Sequence, residues 1–288
     1  MLDFTKVKTY PISSRKNLES LGVLDIPRNP ITSDDLVELA AHIKRARKQG
    51  LPVMFMIGGH VIKTGMSPYI IDLIKRNIIT HVASNGAASI HDFELAYQGG
   101  TSEDVAKSIE DGSFGMADET GRFINEAINE DPLAGYGFQV GKMIDEKDLR
   151  FKEASIQCQC YKHNIPYSVH VAIGTDITHQ HPIADGACIG RASFEDFHKF
   201  TQTVSRGGCF LNFGSAVIMP EVFLKAVSIS RNLGNPIPDL ITANFDQIDH
   251  YRPRMNIVQR PTSKGGKGYN FIGKHQNLIP SLWMLLKD

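Results

Sequence analysis

The chain has 288 residues, of which 42% are hydrophobic and 22% are charged, so its length and composition predict one large or two small globular domains with a sizeable core. Its 31 basic residues balance 31 acidic residues, which argues against a general nucleic-acid binder because such proteins normally carry a basic excess. No apolar run approaches the roughly 20 residues that cross a bilayer, and the first residues carry no signal peptide, so we expect a cytoplasmic protein with a small-molecule partner and no membrane contact.

Short apolar runs rich in β-branched residues alternate along the chain with longer amphipathic stretches. This alternation is typical of βα units, so the sequence predicts a single α/β domain over residues 1–288, doubly wound, with a mostly parallel sheet flanked by helices. An extension of about residues 1–32 precedes the first predicted helix, which begins after Ser33 as its N-cap and ends at Gly50. The predicted strands are LPVMFMI, IITHVAS, IPYSVHVAI, GCFLNFGSA and DLITANF.

Two long stretches lie outside this alternation. Between the second and third predicted strands, about residues 101–163 contain several amphipathic segments and predict a helical insertion. Near the end of the chain, residues 246–275 show little periodicity and much Gly, Pro, Lys and Arg. We expect a long loop there, and a long loop in a compact domain is usually functional or disordered.

The exits of the five predicted strands share small and polar residues. They read GGHVIKTG, NGAASIHD, GTDITHQHP, GSAVIMPE and NFDQIDH. In an open parallel sheet these exits lie together at the carboxyl edge, where ligands bind. Glycines let backbone N–H groups approach a phosphate, and Lys63 and Thr64 add a cation and a hydroxyl. The pattern matches neither GxxxxGKS nor GxGxxG, so a plain tight turn stays an alternative for any single loop.

The third exit carries two histidines separated by one residue. His179 and His181 lie near Asp176 and Asp185, and imidazole with carboxylate is a ligand set that suits zinc or iron. A metal-dependent hydrolase or lyase is therefore one alternative function. A non-catalytic nucleotide-binding protein is another.

Taken together, the loops resemble those of the deoxyhypusine synthase family, from about residue 50 to the end of the chain. In the order of the chain, GGHVIKTGMSPYI, THVASNGAASIHDFE, NIPYSVHVAIGTD, FLNFGSAVIMPEVFLKA and ITANFD are similar to segments of that family. The resemblance implies a Rossmann-like fold, bound NAD, and homotetramers built from dimers. It also implies oxidation of a carbon–nitrogen bond by hydride transfer to NAD, with transfer of the imine to a lysine.

The resemblance also implies which residues contact NAD. They are Gly59, His60, Thr64, Ser84, Asn85, Gly86, Asp176, Gly214, Ser215 and Asp246. The chain departs from that family at Met219, Pro220 and Glu221, where the family has histidines, and it has no clear match to the segment that holds the reacting lysine.

We therefore predict a homo-oligomeric, NAD-dependent transferase or oxidoreductase that oxidises a small amine or amino-acid-like substrate. The enzyme either releases the imine or transfers it. Histidine suits the base because it titrates near neutral pH, and a lysine amine suits imine capture. The residues predicted for proton transfer, substrate anchoring or imine capture are His91, Asp92, Asp176, His179 and Lys267.

Overall fold

The structure is a computed structural model that describes residues 2–27 and 30–288. Three residues of the predicted extension, Met1, Arg28 and Asn29, lie outside the described residues. Within the described residues, no helix combines the length and the apolar composition that a membrane span needs.

Six parallel strands form the central sheet, and two short strands pair beside it. The strands are β1 (Glu19–Ser20), β2 (Val53–Ile57), β3 (His81–Asn85), β4 (Gly100–Thr101), β5 (Tyr167–His170), β6 (Cys209–Phe213), β7 (Ile241–Asp246) and β8 (Lys267–Ile272). The order in the sheet is β5-β3-β2-β6-β7-β8, and β1 pairs antiparallel with β4. The chain thus starts in the middle of the sheet, winds outward to β5, and returns to β6. This places a topological switch point between β2 and β6.

Helices connect the strands and cover both faces of the sheet. They are α1 (Asp34–Lys48), α2 (Gly59–Lys63), α3 (Ser67–Lys75), α4 (Gly86–Gln98), α5 (Val105–Ser108), α6 (Asp118–Glu130), α7 (Tyr136–Glu146), α8 (Ile156–Lys162), α9 (Gly186–Val204), α10 (Ile218–Asn232), α11 (Tyr251–Pro253) and α12 (His275–Leu286). A π-helix follows α11 at Arg254–Gln259.

The predicted cap of α1 is present, since the Ser33 hydroxyl accepts from the Leu36 N–H at 3.2 Å. The predicted α/β fold with a parallel sheet is confirmed.

Alternating side chains of the strands divide the core into two clusters. On β2, Phe55 belongs to the larger cluster, which also contains residues of α1, α3, α4, α7, α8 and α12. Met54 and Met56 point to the opposite face and pack with α9, α10 and the π-helix. All five residues of β2 are buried, as expected for a central strand covered on both faces.

Two predicted loops contain regular structure. The exit of β2 forms the short helix α2, and the stretch 246–275 contains the π-helix and the strand β8. On β8, Tyr269 is buried whereas Lys267 and Asn270 are exposed, because this strand lies at the edge of the sheet and has β7 as its neighbour on one side. Polar residues on such an edge give no continuous apolar run, and the run is what marks a central strand in the sequence.

Candidate functional site

The loops that follow β2 and β6 touch at the switch point through glycines. The Gly58 N–H donates to the Phe213 carbonyl at 2.9 Å, and a Cβ on Gly58 would lie 2.5 Å from the Gly214 carbonyl oxygen. Gly214 has φ +66°, and a Cβ there would lie 2.5 Å from the ring of His275. Side chains at these positions would separate the two loops. The glycines therefore let the two loops pack directly against each other at the switch point, the place in an open α/β sheet where ligands bind.

The loops that follow β3 and β5 also meet. The Asn85 side chain caps α4 by accepting from the Ala88 N–H at 3.0 Å. A Cβ on Gly86 would lie only 1.9 Å from Oδ2 of Asp176, so the carboxylate of the β5 exit lies directly on the first residue of α4. Three residues predicted to contact the cofactor, Asn85, Gly86 and Asp176, are thus adjacent.

Asp176 and His179 form a capping box at the β5 exit. The Asp176 N–H donates to Nδ1 of His179 at 3.3 Å, and the Asp176 carboxylate faces the N–H of His179 in return. Burial raises the pKa of Asp176 to about 6 and lowers the pKa of His179. Within the described residues, Oδ2 of Asp176 and Nε2 of His179 are buried without a hydrogen-bond partner, and they lie 4.0 Å apart. An unpaired buried polar atom destabilises the fold by about 1–3 kcal/mol, so a ligand that hydrogen-bonds to either atom would recover part of that free energy.

A cavity of about 240 Å³ lies beside these loops, against α4. Gly59 joins it to the switch point, because a Cβ on Gly59 would lie 3.1 Å from Cδ2 of His91 in the cavity wall. The charged or titratable side chains that line the cavity are Arg15, Lys63, His91, Glu94, Glu103 and Asp176. The cavity therefore offers both signs of charge to a small ligand.

Three of these charged residues were missed from the sequence. Arg15 lies between Glu94 and Glu103, with Nη2 2.8 Å from Oε2 of Glu94 and Nη1 3.8 Å from Oε1 of Glu103. All three side chains are almost fully buried. Arg15 precedes Glu94 by 79 residues, and no spacing rule connects positions so far apart.

His91 and Asp92 are neighbours on α4 but face different sides of it. Burial lowers the pKa of His91 to about 4, and its Nδ1 lies 2.7 Å from Oγ1 of Thr101. Asp92 points away from the cavity and caps α8, where its carboxylate accepts from the Ser155 hydroxyl and the Ile156 N–H. Successive residues on a helix point about 100° apart. If this strand exit were a loop, both side chains could share one site. In the helix, Asp92 takes a capping position instead.

Lys267 lies far from the carboxyl edge of the sheet. It is the first residue of β8, at the amino edge of the sheet, and its Nζ pairs with Glu38 at 2.6 Å on the surface. Parallel strands place their first and last residues at opposite edges of the sheet. The structure therefore does not bring Lys267 together with His91, Asp176 and His179.

The remaining predicted cofactor residues lie at the carboxyl edge in different settings. Nε2 of His60 lies 2.6 Å from Nε2 of Gln247 on the β7 exit. Oδ2 of Asp246, at the end of β7, is buried and unpaired within the described residues, whereas its Oδ1 accepts from the Gln247 N–H. Three hydroxyls serve the backbone or the sheet: Thr64 donates to the His60 carbonyl, Ser84 accepts from the Tyr167 hydroxyl, and Ser215 accepts from the Met219 N–H.

The side chains proposed for a metal site do not converge. Nε2 of His181 lies 3.1 Å from the Gly115 carbonyl oxygen, and its ring packs on Gly121, away from His179. Asp185 caps α9. Across residues 2–27 and 30–288, no three His, Cys, Asp or Glu side chains are grouped as a metal ion would require. The metal-dependent alternative thus lacks its predicted ligand set.

No protein-family profile and no curated protein matches this sequence. Solved structures do share its fold. A protein provisionally assigned as LOR/SDH from Methanococcus maripaludis S2 is 17% identical with a TM-score of 0.54, over 92% of this chain and 74% of that one. AgrE in its ternary complex with ornithine and NAD+ is 16% identical with a TM-score of 0.53, over 89% of this chain and 34% of AgrE.

The structural neighbours also include a provisionally assigned deoxyhypusine synthase from Entamoeba histolytica, which is 9% identical with a TM-score of 0.49, over 97% of this chain and 96% of that one. At such identities the likeness to the other two structures shows the Rossmann-like fold alone. The chain spans about a third of the length of AgrE.

Proposed function

We propose that this protein is an NAD-dependent enzyme that oxidises a small amine or amino-acid-like substrate. The observation that carries the proposal is the junction at Gly59, where the glycine loops of the switch point meet the cavity lined by His91 and Asp176. A dinucleotide at the switch point and a small molecule in the cavity would be neighbours. AgrE, which shares the fold, binds ornithine and NAD+ in one complex, and this supports the pairing of ligands.

The residues at the switch point fit a dinucleotide. Gly58 and Gly214 allow the two loops to meet there, because a Cβ on Gly58 would overlap the Gly214 carbonyl oxygen and a Cβ on Gly214 would overlap the His275 ring. Oδ2 of Asp246 and Nδ1 of His275 are buried polar atoms that lack a partner within the described residues. Each can pair with a ligand hydroxyl or amide. When bound, NAD supplies the hydride acceptor that no protein side chain provides.

The cavity supplies recognition and a base. Lys63 suits a substrate carboxylate and Asp176 suits a substrate amine, which together favour an amino-acid-like molecule. Burial keeps the pKa of His91 near 4, so its ring is neutral at pH 7 and can accept a proton from the substrate. Neither Asp92 nor Lys267 has a part in this proposal, and imine transfer to a lysine is not included.

Calorimetric titration of the full chain with NAD tests the proposal first. We expect binding with a Kd on the order of micromolar, and loss of binding in Gly58→Val, because the new side chain would overlap the Gly214 carbonyl and push the two loops of the switch point apart. Glu110→Ala, at an exposed position, is the matched control and should bind as the wild type does. No heat of binding with millimolar NAD, together with no NAD in the extract of the purified protein, would contradict the proposal.

A bound cofactor that accepts a hydride and gives it up again within each cycle would release no NADH, so the reaction is best followed by isotope transfer. Amines and amino acids deuterated at the carbon next to nitrogen should pass deuterium to the bound NAD, as measured by mass spectrometry. NAD binding without transfer from any amine would instead favour the non-catalytic nucleotide-binding protein. The proposal also keeps the expected homo-oligomer and cytoplasmic location, which light scattering and cell fractionation test.

A further inference from the structure

A buried chain of hydrogen bonds leads from Arg15 to His91. The Arg15 guanidinium binds the Glu94 carboxylate through Nη1–Oε1 at 2.9 Å and Nη2–Oε2 at 2.8 Å. The Thr101 hydroxyl lies 2.6 Å from Oε2 of Glu94, and Nδ1 of His91 lies 2.7 Å from the same hydroxyl. The side chains of Arg15 and Glu94 are 5% and 1% exposed. No bulk water therefore competes for these bonds.

The ionisation of Glu94 fixes the direction of the bonds. Burial alone would raise the pKa of Glu94, but the hydrogen bond and the charge of Arg15 outweigh it and hold the pKa below its ordinary value. An ionised carboxylate can only accept, so the Thr101 O–H must point at Glu94. Thr120 donates to the other oxygen of Glu94 at 3.0 Å, which leaves the carboxylate fully engaged.

The direction of the Thr101 hydroxyl decides the tautomer of His91. The Thr101 hydroxyl donates its hydrogen to Glu94, so towards His91 its oxygen can only accept. Nδ1 of His91 must therefore carry the ring proton. Burial keeps the ring neutral; the Glu94 carboxylate favours a second proton, whereas the Lys63 ammonium and the Arg15 guanidinium disfavour it. Nε2 is then a free lone pair, and the structure gives it no hydrogen-bond partner within the described residues.

We propose that Arg15, Glu94 and Thr101 form a positioning relay that holds His91 as the Nδ1–H tautomer and presents its Nε2 as a proton acceptor in the cavity. Imidazole in water favours the opposite tautomer, with the proton on Nε2, so the relay has a measurable effect. The catalytic use of that lone pair rests on the proposed amine oxidation, whereas the tautomer itself does not. Arg15, Glu94 and Thr101 are positioning residues, since they act on the reaction through His91.

Nuclear magnetic resonance of the full chain labelled with ¹⁵N-histidine tests the relay. Two-bond ¹H–¹⁵N correlations at pH 7 distinguish Nδ1–H from Nε2–H rings, and the signals of His91 are those that disappear in His91→Gln. We expect Nδ1–H in the wild type, a shift towards Nε2–H in Thr101→Val, and a return to Nδ1–H in Thr101→Ser. Thr120→Val is the matched control, because Thr120 touches Glu94 but not His91. Its His91 should remain Nδ1–H.

Two results would overturn the relay: a wild-type His91 that is protonated on Nε2, or a folded Thr101→Val that keeps Nδ1–H. The wild-type spectrum alone can refute the relay, so the test still works if a variant fails to fold. In turnover, Thr101→Val should lower kcat on the order of 10²-fold with an unchanged Kd for NAD, and Thr101→Ser should restore it. If NAD does not bind at all, the proposed function fails while the tautomer measurement still stands.

Discussion

Replacing Asp92 by alanine should destabilise the fold rather than remove a catalytic group. The Asp92 carboxylate accepts from the Ser155 hydroxyl at 2.6 Å, the Ile156 N–H at 2.8 Å, the Gln157 N–H at 3.0 Å and the Gln157 side-chain amide at 3.2 Å. These donors lie at the first turn of α8, where the backbone N–H groups have no helical acceptor. The side chain thus joins α4 to α8 in the core.

The expected loss of unfolding free energy is about 3–5 kcal/mol. Each buried N–H left without an acceptor costs about 1–3 kcal/mol, and two backbone groups cannot turn elsewhere. Burial raises the pKa of Asp92, so part of the loss is offset because alanine no longer requires a buried carboxylate. Domains are stable by about 5–15 kcal/mol, so the change is large but need not prevent folding.

Urea unfolding followed by circular dichroism measures the loss. Asp92→Asn keeps one acceptor oxygen and should lose less stability than Asp92→Ala, and Glu110→Ala, at an exposed position, should stay within about 0.5 kcal/mol of the wild type. Both Asp92 variants should still bind NAD where they are folded. An Asp92→Asn protein with wild-type stability and NAD binding but no turnover would refute the capping role and restore Asp92 as a catalytic candidate.

Three further changes have defined outcomes. Relative to His91→Gln, the wild type should lose roughly 1.4 kcal/mol of unfolding free energy per pH unit as the pH falls from about 6.5 to about 4. The reason is that burial lowers the folded pKa of His91 to about 4, so its contribution to stability is complete above the unfolded pKa and disappears towards the folded pKa. Urea titrations at several pH values measure this difference, and a pH-independent difference would contradict it. Gly58→Ala should lower both the melting temperature and the affinity for NAD, because its Cβ would lie 2.5 Å from a backbone carbonyl oxygen that cannot rotate away. Calorimetry measures both, and unchanged affinity would argue against a dinucleotide at the switch point. Lys267→Met should leave NAD binding and isotope transfer as in the wild type, since the side chain lies at the amino edge of the sheet; loss of transfer would show that Lys267 reaches the site after all.

The sequence predicted the fold and the carboxyl edge because both follow from local patterns. Apolar runs alternating with amphipathic stretches imply parallel strands, and parallel strands necessarily end at one edge. Gly58 and Gly86 were recognisable as positions of close approach for the same reason. A local signal for α4 was also present in Asn85, whose side chain caps that helix. With that cap recognised, His91 and Asp92 would have been separated onto two sides of one helix.

The cavity could not be predicted in this way, because its wall is made by distant segments. Arg15 reaches Glu94 across 79 residues, and the Ile12 N–H donates to Glu119 across 107. Such pairs depend on how the helical insertion folds back on the sheet, and a single sequence carries no trace of that geometry. Lys267 shows the reverse error: a lysine among glycines looks like a reactive site until its place in β8 is known.

The distance along the chain between Arg15 and its carboxylate partners has a consequence for how the molecule is built. During synthesis, the segment around Arg15 leaves the ribosome before Glu94 and Glu103 exist, and it can dock only after β3, α4 and β4 have formed. Closing so long a loop is slow compared with forming local helices. Arg15 is therefore the first residue of the cavity wall to be synthesised, and in a chain halted before residue 94 its guanidinium stays in water without a carboxylate partner.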